Sequence, residues 1–364
     1  MAHPWPTSTA STDISAPIAL RQLATAYQIS QAVSVAARLR LAELLASGPK
    51  AADELATATG THAPSLFRLL RALTAFGVFD EVAPGRFALT SIGECLRADA
   101  PHSLRDAVVM WGSENFWQTT ADLLHSIQTG ETAVQHLFGV ATPFEYYQSR
   151  PELGAMMNAV WAASAQDLPS EVVAAYDFPA SATVVDVGGN RGQILAPVLQ
   201  AYPSLRGVLF DLPNVIAVAA AFLNEAGVLD RCTLVGGDLF VEVPSGGDIY
   251  MLSRVIHDWD DAKASAILRT CRRAMPLRTT LLLVERALPA TLDHSANVQV
   301  SVQGDLNMLL RTGGRERTDA EYEALLAAAG FALERIIPTP SGYSVIQSSA
   351  VETSTDGGRE RARG

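Results

Sequence analysis

At 364 residues, 48% hydrophobic and 18% charged, the chain is long enough for two domains with substantial cores, and its composition excludes wholesale disorder. A formal charge of −11 argues against a sequence-independent hold on nucleic acid or an anionic membrane, because both need basic surface. The three cysteines, Cys95, Cys232 and Cys271, are odd in number and far apart, so they build neither a disulfide framework nor a zinc site and fit a reducing cytoplasm. No basic start or apolar core of a signal peptide is read at the N-terminus, and no apolar run approaches membrane-spanning length.

Residues 1–17 are rich in Ser, Thr and Pro and are expected to be disordered. From Ile18 to Leu45 apolar residues recur at helical spacing (Leu20, Leu23, Tyr27, Leu41, Leu44, Leu45) until Gly48-Pro49 ends the run. Ala51 to Ala58 reads as a short helix closed by Gly60. The next begins near Pro64 and carries Leu66, Leu69, Leu70 and Leu73 as an apolar stripe. Val78 to Val82, a Pro84-Gly85 turn and Arg86 to Leu89 form a small hairpin, and Ser91-x-x-Glu94 reads as a capping box. Helix, turn, helix, hairpin is the outline of a winged helix, here spanning residues 18–100. Its charge argues against reading DNA: between Ala51 and Ala100, Arg68, Arg71, Arg86 and Arg97 face Asp53, Glu54, Asp80, Glu81, Glu94 and Asp99, four against six. The module is expected to be structural, with its apolar helices offered to a dimer partner.

Residues 101–176 read as a mainly helical connecting region with many large side chains, Phe116, Trp117, Phe138, Tyr146, Tyr147 and Met156 among them. Most belong in a core. Trp111, Phe144, Met157 and Trp161 are the candidates to line a pocket for a flat apolar substrate. From Ser181 the period changes to alternating strand and helix. Strands are expected at Thr183–Val187, Gly207–Phe210, Cys232–Gly236, Asp248–Leu252, Thr280–Val284 and Gly342–Gln347, with helices at Val215–Ala226, Ala262–Ala274 and Asp319–Ala329. That pattern is a doubly wound α/β sheet over residues 177–350. Residues 351–364 are polar and are expected to form a disordered tail.

The second domain is organised around Thr183 to Gly192, TVVDVGGNRG, a buried strand that breaks at a glycine-rich turn. A dinucleotide fingerprint needs Gly at i, i+2 and i+5, and neither the frame from Gly188 nor that from Gly189 supplies it; no Walker A Lys-Ser/Thr pair follows. What stands here is Asp186-x-Gly188-x-Asn190-x-Gly192, which resembles the first motif of S-adenosylmethionine methyltransferases with Asn190 at the middle glycine. Asn visits positive φ more readily than most residues, so the replacement is tolerable. Later strand ends carry Asp211-Leu212-Pro213, then Gly236-Gly237-Asp238-Leu239-Phe240, then Ser253 to Asp261 (SRVIHDWDD), then Glu285. An acid at Asp211 can accept both ribose hydroxyls of an adenosine; Asp238 can accept from an adenine amino group while Phe240 packs on the ring.

VDVGGNRG, FDLPNV, GGDLF, IHDWDD, VER, DLNML and GGRERT stand in the order and spacing of the plant-type small-molecule O-methyltransferases and their bacterial relatives in natural-product biosynthesis. The resemblance covers roughly Ile18 to Ser348. It implies a Rossmann-like methyltransferase sheet, an N-terminal winged-helix dimerisation domain, a homodimer, S-adenosylmethionine as cofactor, no metal, and an aromatic small-molecule acceptor methylated on a phenolic hydroxyl. It also assigns roles. His257 matches the general base, Glu285 the acid that orients it, and Glu316 in Gly313-Gly314-Arg315-Glu316-Arg317-Thr318 the second flanking acid. Asp186, Gly188, Gly189, Asp211, Leu212, Gly237, Asp238, Leu239, Phe240, Ser253, Arg254 and Trp259 fall on the cofactor side, and Asp305, Asn307 and Met308 on the substrate side. Plant members carry Lys at the position of Ser253, whose hydroxyl supplies a hydrogen bond but no charge. Asp258, Asp260 and Asp261 read as exposed acids at the start of the Ala262 helix, favoured by its dipole. The other histidines (His3, His62, His102, His125, His136 and His294) read as surface or structural residues. Alternatives are a same-fold enzyme that methylates nitrogen, decarboxylates or hydroxylates, and a regulator that senses the cofactor.

Overall fold

The computed structural model describes residues 15–150, 153, 154, 157, 160 and 166–351. Most of both expected disordered ends, together with Met156 and Trp161, lies outside the described residues. The chain divides into two compact units, one ending at Gln166 and the other beginning at Asp167.

The first unit opens with helices α1 (Ala16–Arg38) and α2 (Leu41–Leu45). The continuous helical run expected from Ile18 to Leu45 is broken at Arg40, whose φ of 54° is left-handed. Apolar spacing carries across such a break without registering it, because one left-handed residue redirects the axis and leaves the stripe intact. Strand β1 (Lys50–Ala51), helices α3 (Ala52–Thr59) and α4 (Ala63–Ala75), and strands β2 (Phe79–Ala83) and β3 (Arg86–Leu89) then give the winged-helix outline, with the sheet in the order β1-β3-β2. Leu66, Leu70 and Leu73 of α4 are buried with Leu41, Leu45, Leu55, Phe79 and Phe87. The one-turn helix α5 (Ser91–Glu94) is capped by Thr90 rather than by Ser91: Thr90 Oγ1 accepts from the Gly93 N–H at 3.1 Å, and Ser91 is already helical. The threonine wins because the same hydroxyl also donates to the Gly77 carbonyl at 2.7 Å, fastening the helix to the hairpin.

Helices α6 (Arg105–Trp111), α7 (Glu114–Ala121), α8 (Leu123–Thr129), α9 (Ala133–Phe138) and α10 (Pro143–Gln148) follow in this unit. Met110, Phe116, Tyr147 and Met157 share a small core there. His125 and His136 stack at 3.7 Å, each ring held by a carboxylate, Glu131 and Asp122 respectively.

The second unit begins with α11 (Leu168–Ala175) and builds one sheet from β4 (Thr183–Val187), β5 (Arg206–Asp211), β6 (Cys232–Gly236), β7 (Ile249–Ser253), β8 (Thr280–Leu288), β9 (Arg317–Thr318), β10 (Phe331–Pro338) and β11 (Tyr343–Ala350). Its order is β10-β11-β8-β7-β4-β5-β6, with β9 paired to the end of β8. Strands β8, β7, β4, β5 and β6 are parallel, and β11 and β10 add antiparallel at one edge. Between them run α12 (Leu195–Ala201), α13 (Pro213–Glu225), α14 (Asp261–Ala274), α15 (Ala296–Arg311) and α16 (Asp319–Ala328). Val185, Val187, Tyr250, Leu252, Leu281, Leu283 and Ile346 point to the face that packs on Ile267, Leu268, Leu325 and Leu326 of α14 and α16. The alternate residues Val184, Ile249, Met251, Leu282 and Val345 are equally buried, so helices cover both faces, as a parallel sheet requires. The chain winds outward from β4 in two directions. The connections diverge between β4 and β7, and the carboxyl ends of those two strands are where a doubly wound sheet binds its ligand.

Candidate active site

At the end of β4 the backbone turns through Gly188 (φ 70°) and Asn190 (φ 54°), so the asparagine does occupy a left-handed position. Gly189 is required for a different reason: a Cβ there would collide with the Asp186 carboxylate and lie 2.6 Å from Leu209 Cδ1. Asp186 is 1% exposed, and neither of its oxygens has a hydrogen-bond partner among the described residues. Burial, with the nearby Asp211 carboxylate adding to it, raises its pKa to about 7. Asp211 closes β5 and accepts from the Asn190 and Leu212 N–H groups at 2.8 and 2.7 Å. Burial raises its pKa too, against those two hydrogen bonds. Asp238 accepts from the Phe240 N–H at 2.8 Å, and Phe240 meets Trp259 edge to face at 4.9 Å. The β4 and β7 loops touch: a Cβ on Gly188 would stand 2.8 Å from Val255 Cγ2.

His257 occupies a single 3₁₀ turn, Ile256–Asp258, just past β7. Its Nδ1 meets Glu316 Oε1 at 3.0 Å and Glu285 Oε2 at 3.8 Å. Glu316, expected only to flank, therefore holds the ring, and Glu285 does something else. It is fully buried, and its Oε1 accepts from the Val255 and Ile256 N–H groups at 3.0 and 2.7 Å, fixing the backbone that leads into the turn. The cause of the exchange is strand length. The sequence ends the fifth strand at Val284, but β8 continues to Leu288, so Glu285 lies inside it opposite Ser344, and β9 pairs with its extension to bring Glu316 alongside. A carboxylate only accepts, so Nδ1 carries the hydrogen and Nε2 is the basic nitrogen of the neutral ring.

Asp258 is the second correction. It does not belong to the start of α14, where Asp260 is the cap and accepts from the Lys263 N–H at 2.8 Å. It lies instead in the His257 turn, with Oδ1 3.8 Å from Nε2. Its adjacency to His257 in a turn too short to be a helix was the available signal. Burial opposes charge on the imidazole, but the carboxylates of Glu285, Asp258 and Glu316 outweigh it and raise the His257 pKa to about 10. Burial likewise raises Glu285 to about 7 and Asp258 to about 6, with His257 pulling both down.

On α15, Asp305 Oδ1 accepts from the Glu316 N–H at 2.8 Å and Asn307 Oδ1 accepts from Arg311 Nε at 2.8 Å. Both of these oxygens, expected to face an acceptor, are engaged within the protein. Met308 Sδ lies 3.7 Å from the Thr312 hydroxyl. Trp111, Phe144 and Met157 belong to the first unit; Met157 is packed in its core and Trp111 is 44% exposed. Ser253 ends β7, and its buried hydroxyl has no hydrogen-bond partner among the described residues. Arg254 follows with a φ of 55°. Leu212 is 45% exposed, and Leu239 packs on the sheet core beside Phe240. Gly237 donates its N–H to the Asp211 carbonyl.

The model of the O-methyltransferase domain matches residues 117–332, and that of the O-methyltransferase dimerisation domain matches residues 21–99. The chain is 44% identical over 332 residues to a phenazine O-methyltransferase of Lysobacter antibioticus, covering 91% of this chain and 96% of that protein. The chain belongs to the O-methyltransferase family. Another member, the phenazine-1-carboxylate N-methyltransferase of Pseudomonas aeruginosa, is 36% identical, with 88% of this chain and 93% of that one covered. Among solved structures, an O-methyltransferase of neocarzinostatin biosynthesis, in complex with S-adenosyl-L-homocysteine and 1,4-dihydroxy-2-naphthoic acid, is similar with a TM-score of 0.79 and 36% identity over 93% of this chain and all of that one. This O-methyltransferase is an S-adenosylmethionine-dependent enzyme. The residues at the ends of β4 and β7 suit such a group: a buried carboxylate and a buried hydroxyl, Asp186 and Ser253, both without hydrogen-bond partners among the described residues, stand at adjacent strand ends. No group of three or more His, Cys, Asp or Glu among the described residues is placed to hold a metal ion, and no helix among them is long and apolar enough to cross a membrane.

Proposed function

We propose that this enzyme methylates a phenolic hydroxyl of an aromatic small molecule in natural-product biosynthesis, with His257 as general base. The carrying observation is His257 itself, its Nδ1 held by Glu316 at 3.0 Å while its Nε2 meets only the Asp258 carboxylate, beyond hydrogen-bond reach at 3.8 Å. When bound, S-adenosylmethionine supplies a methyl group electrophilic enough for an in-line attack by oxygen. Nε2 would take the acceptor's proton as the acceptor oxygen gains the methyl carbon, the electron pair of the broken carbon–sulfur bond staying on sulfur in the departing thioether, and Glu316, Glu285 and Asp258 would stabilise the resulting imidazolium. Asp186, Gly188, Gly189, Asp211, Leu212, Gly237, Asp238, Leu239, Phe240, Ser253, Arg254 and Trp259 form the cofactor side in this reading, with Asp211 taking the ribose hydroxyls. Met308 stands on the acceptor side in this reading. The enzyme works as a cytoplasmic homodimer. Support for the dimer comes from α1, which exposes Ile18, Leu20, Leu23 and Tyr27 within or beside the segment that the dimerisation model matches.

Replacing His257 with Ala tests the base. Turnover should fall by about 10²–10⁴, the usual worth of a positioned base, while cofactor affinity measured by calorimetry stays unchanged. Near-normal turnover on the physiological acceptor would sink the assignment. A second reading, methylation of nitrogen, is favoured by the similarity to the phenazine-1-carboxylate N-methyltransferase. A ring nitrogen or neutral amine presents a lone pair without prior deprotonation, so an enzyme of that kind would tolerate the same substitution.

A further inference from the structure

The 3₁₀ turn carrying His257 is one turn long, so most of its carbonyls have no partner within it. The Ile256 carbonyl accepts the turn's own bond from the Trp259 N–H at 3.2 Å, and the carbonyls of Ile256, His257 and Trp259 all receive donors from one short segment, Arg315 to Arg317. The Arg315 N–H donates to the His257 carbonyl at 2.9 Å. Arg317 is 1% exposed, and its guanidinium donates from Nη1 to the Ile256 carbonyl at 3.1 Å and from Nη2 to the Trp259 carbonyl at 2.8 Å. The same guanidinium is held from behind by Asp261 Oδ1, at 3.0 Å from Nε and 2.8 Å from Nη2. Gly314 lets the segment lie flat on the turn, since a Cβ there would collide with the His257 carbonyl oxygen and with the backbone of Asp258 and Trp259. Thus the segment whose Glu316 holds the imidazole also fixes both ends of the backbone bearing that imidazole.

We propose that Arg317 is the positioning residue of this active site: by clasping the Ile256 and Trp259 carbonyls it fixes the distance between His257 and Glu316 and holds the backbone on either side of the base. This rests on the reading of His257 as the base. A lysine in place of Arg317 keeps the charge but has one nitrogen, which cannot reach two carbonyls and a carboxylate in the planar fork that arginine provides. Loosening the clasp lets the turn drift while the sheet beneath it stays intact. A drift of about 1 Å at a catalytic group costs roughly 10²-fold in rate.

The experiment uses the full-length enzyme carrying Arg317→Lys or Asp261→Asn, with His257 followed by ¹⁵N NMR in ring-labelled protein and steady-state kinetics alongside. In Arg317→Lys the His257 titration should move toward the ordinary histidine range as Glu316 loses contact, and kcat should drop 10–100-fold with acceptor KM changed less than threefold. Asp261 is 63% exposed, and its substitution should give the same changes at smaller size without affecting folding. An unmoved His257 titration in Arg317→Lys overturns the proposal. Should that variant fail to fold, Asp261→Asn decides, and a native melting curve with an unmoved titration overturns it. Failure of the base reading looks different: His257→Ala would then retain turnover, although the titration in Arg317→Lys still moves.

Discussion

The sharpest physical expectation concerns Asp186, a carboxylate buried in the central strand with no donor for either oxygen among the described residues. Its pKa is raised from 3.8 to about 7, so over that interval the folded chain binds a proton that the unfolded chain has released. Stability must therefore fall as pH rises through this window and level off above it. Integrating the linkage gives a cost of about 2 kcal/mol at pH ~5 and about 4 kcal/mol at pH ~8. Asp186→Asn removes the ionisation and keeps the shape. The amide brings its own unsatisfied polar atoms, a cost that does not vary with pH. The diagnostic quantity is the increment: in the absence of cofactor, the variant's advantage in urea unfolding should grow by roughly 2–3 kcal/mol between the two pH values. An advantage independent of pH, or one that shrinks as pH rises, would refute the reasoning, because it would mean that the carboxylate is not held in its neutral form.

Two further outcomes follow from the geometry. If His257 must be neutral to accept a proton, kcat/KM should climb with pH through neutrality toward about 10. Glu285→Gln keeps an oxygen for the Val255 and Ile256 N–H groups but removes a charge that raises the imidazole, so the climb should move to lower pH; an unmoved profile would show that Glu285 does not set the basicity of the ring. On α1, Leu23 is 69% exposed, and Leu23→Asp would take a side chain worth about 1.5–3 kcal/mol out of each half of a dimer contact. Sedimentation should then report a monomer with an unaltered His257 titration, and a retained dimer would remove α1 from the interface.

The parallel core of the second unit was legible because both-face burial writes itself as short apolar runs: Thr183–Val187, buried from Val184 onward, has the bounds read from sequence. Edge elements were less so. β10 is half exposed, with charged residues such as Glu334 and Arg335 inside it, and so lacks the apolar run that betrays a buried strand. Four acids of the second unit show how far residue type alone reaches. Asp186 and Asp211 stand at the adjacent ends of β4 and β5, as strand-end reasoning expects. Glu285 and Glu316 meet His257 in the opposite order of closeness, because their roles depend on where β8 stops and on its pairing with β9, and neither is written in local periodicity. Arg317 was visible only as a letter in GGRERT. Nothing in the pattern says that an arginine after a glutamate will turn inward.

That inward turn is what the charges around His257 require. Glu285, Glu316 and Asp258 lie within 4 Å of one imidazole, and Glu285 and Glu316 are at most 3% exposed. Desolvated carboxylates this close repel one another and favour any movement that separates them. Two devices oppose that movement. Backbone N–H groups are delivered to the acids, from Val255 and Ile256 to Glu285, while Asp305 anchors the backbone of Glu316. The buried guanidinium of Arg317 draws the carbonyls of the turn in the other direction. The attraction of these negative charges for the imidazolium raises the basicity of His257, and the hydrogen bonds prevent their mutual repulsion from dispersing the groups that carry them. A site built this way should be sensitive to loss of its fasteners even where the fastener never touches an acceptor, which is why Arg317→Lys, a change of shape at constant charge, is a sharper probe than removal of any one acid.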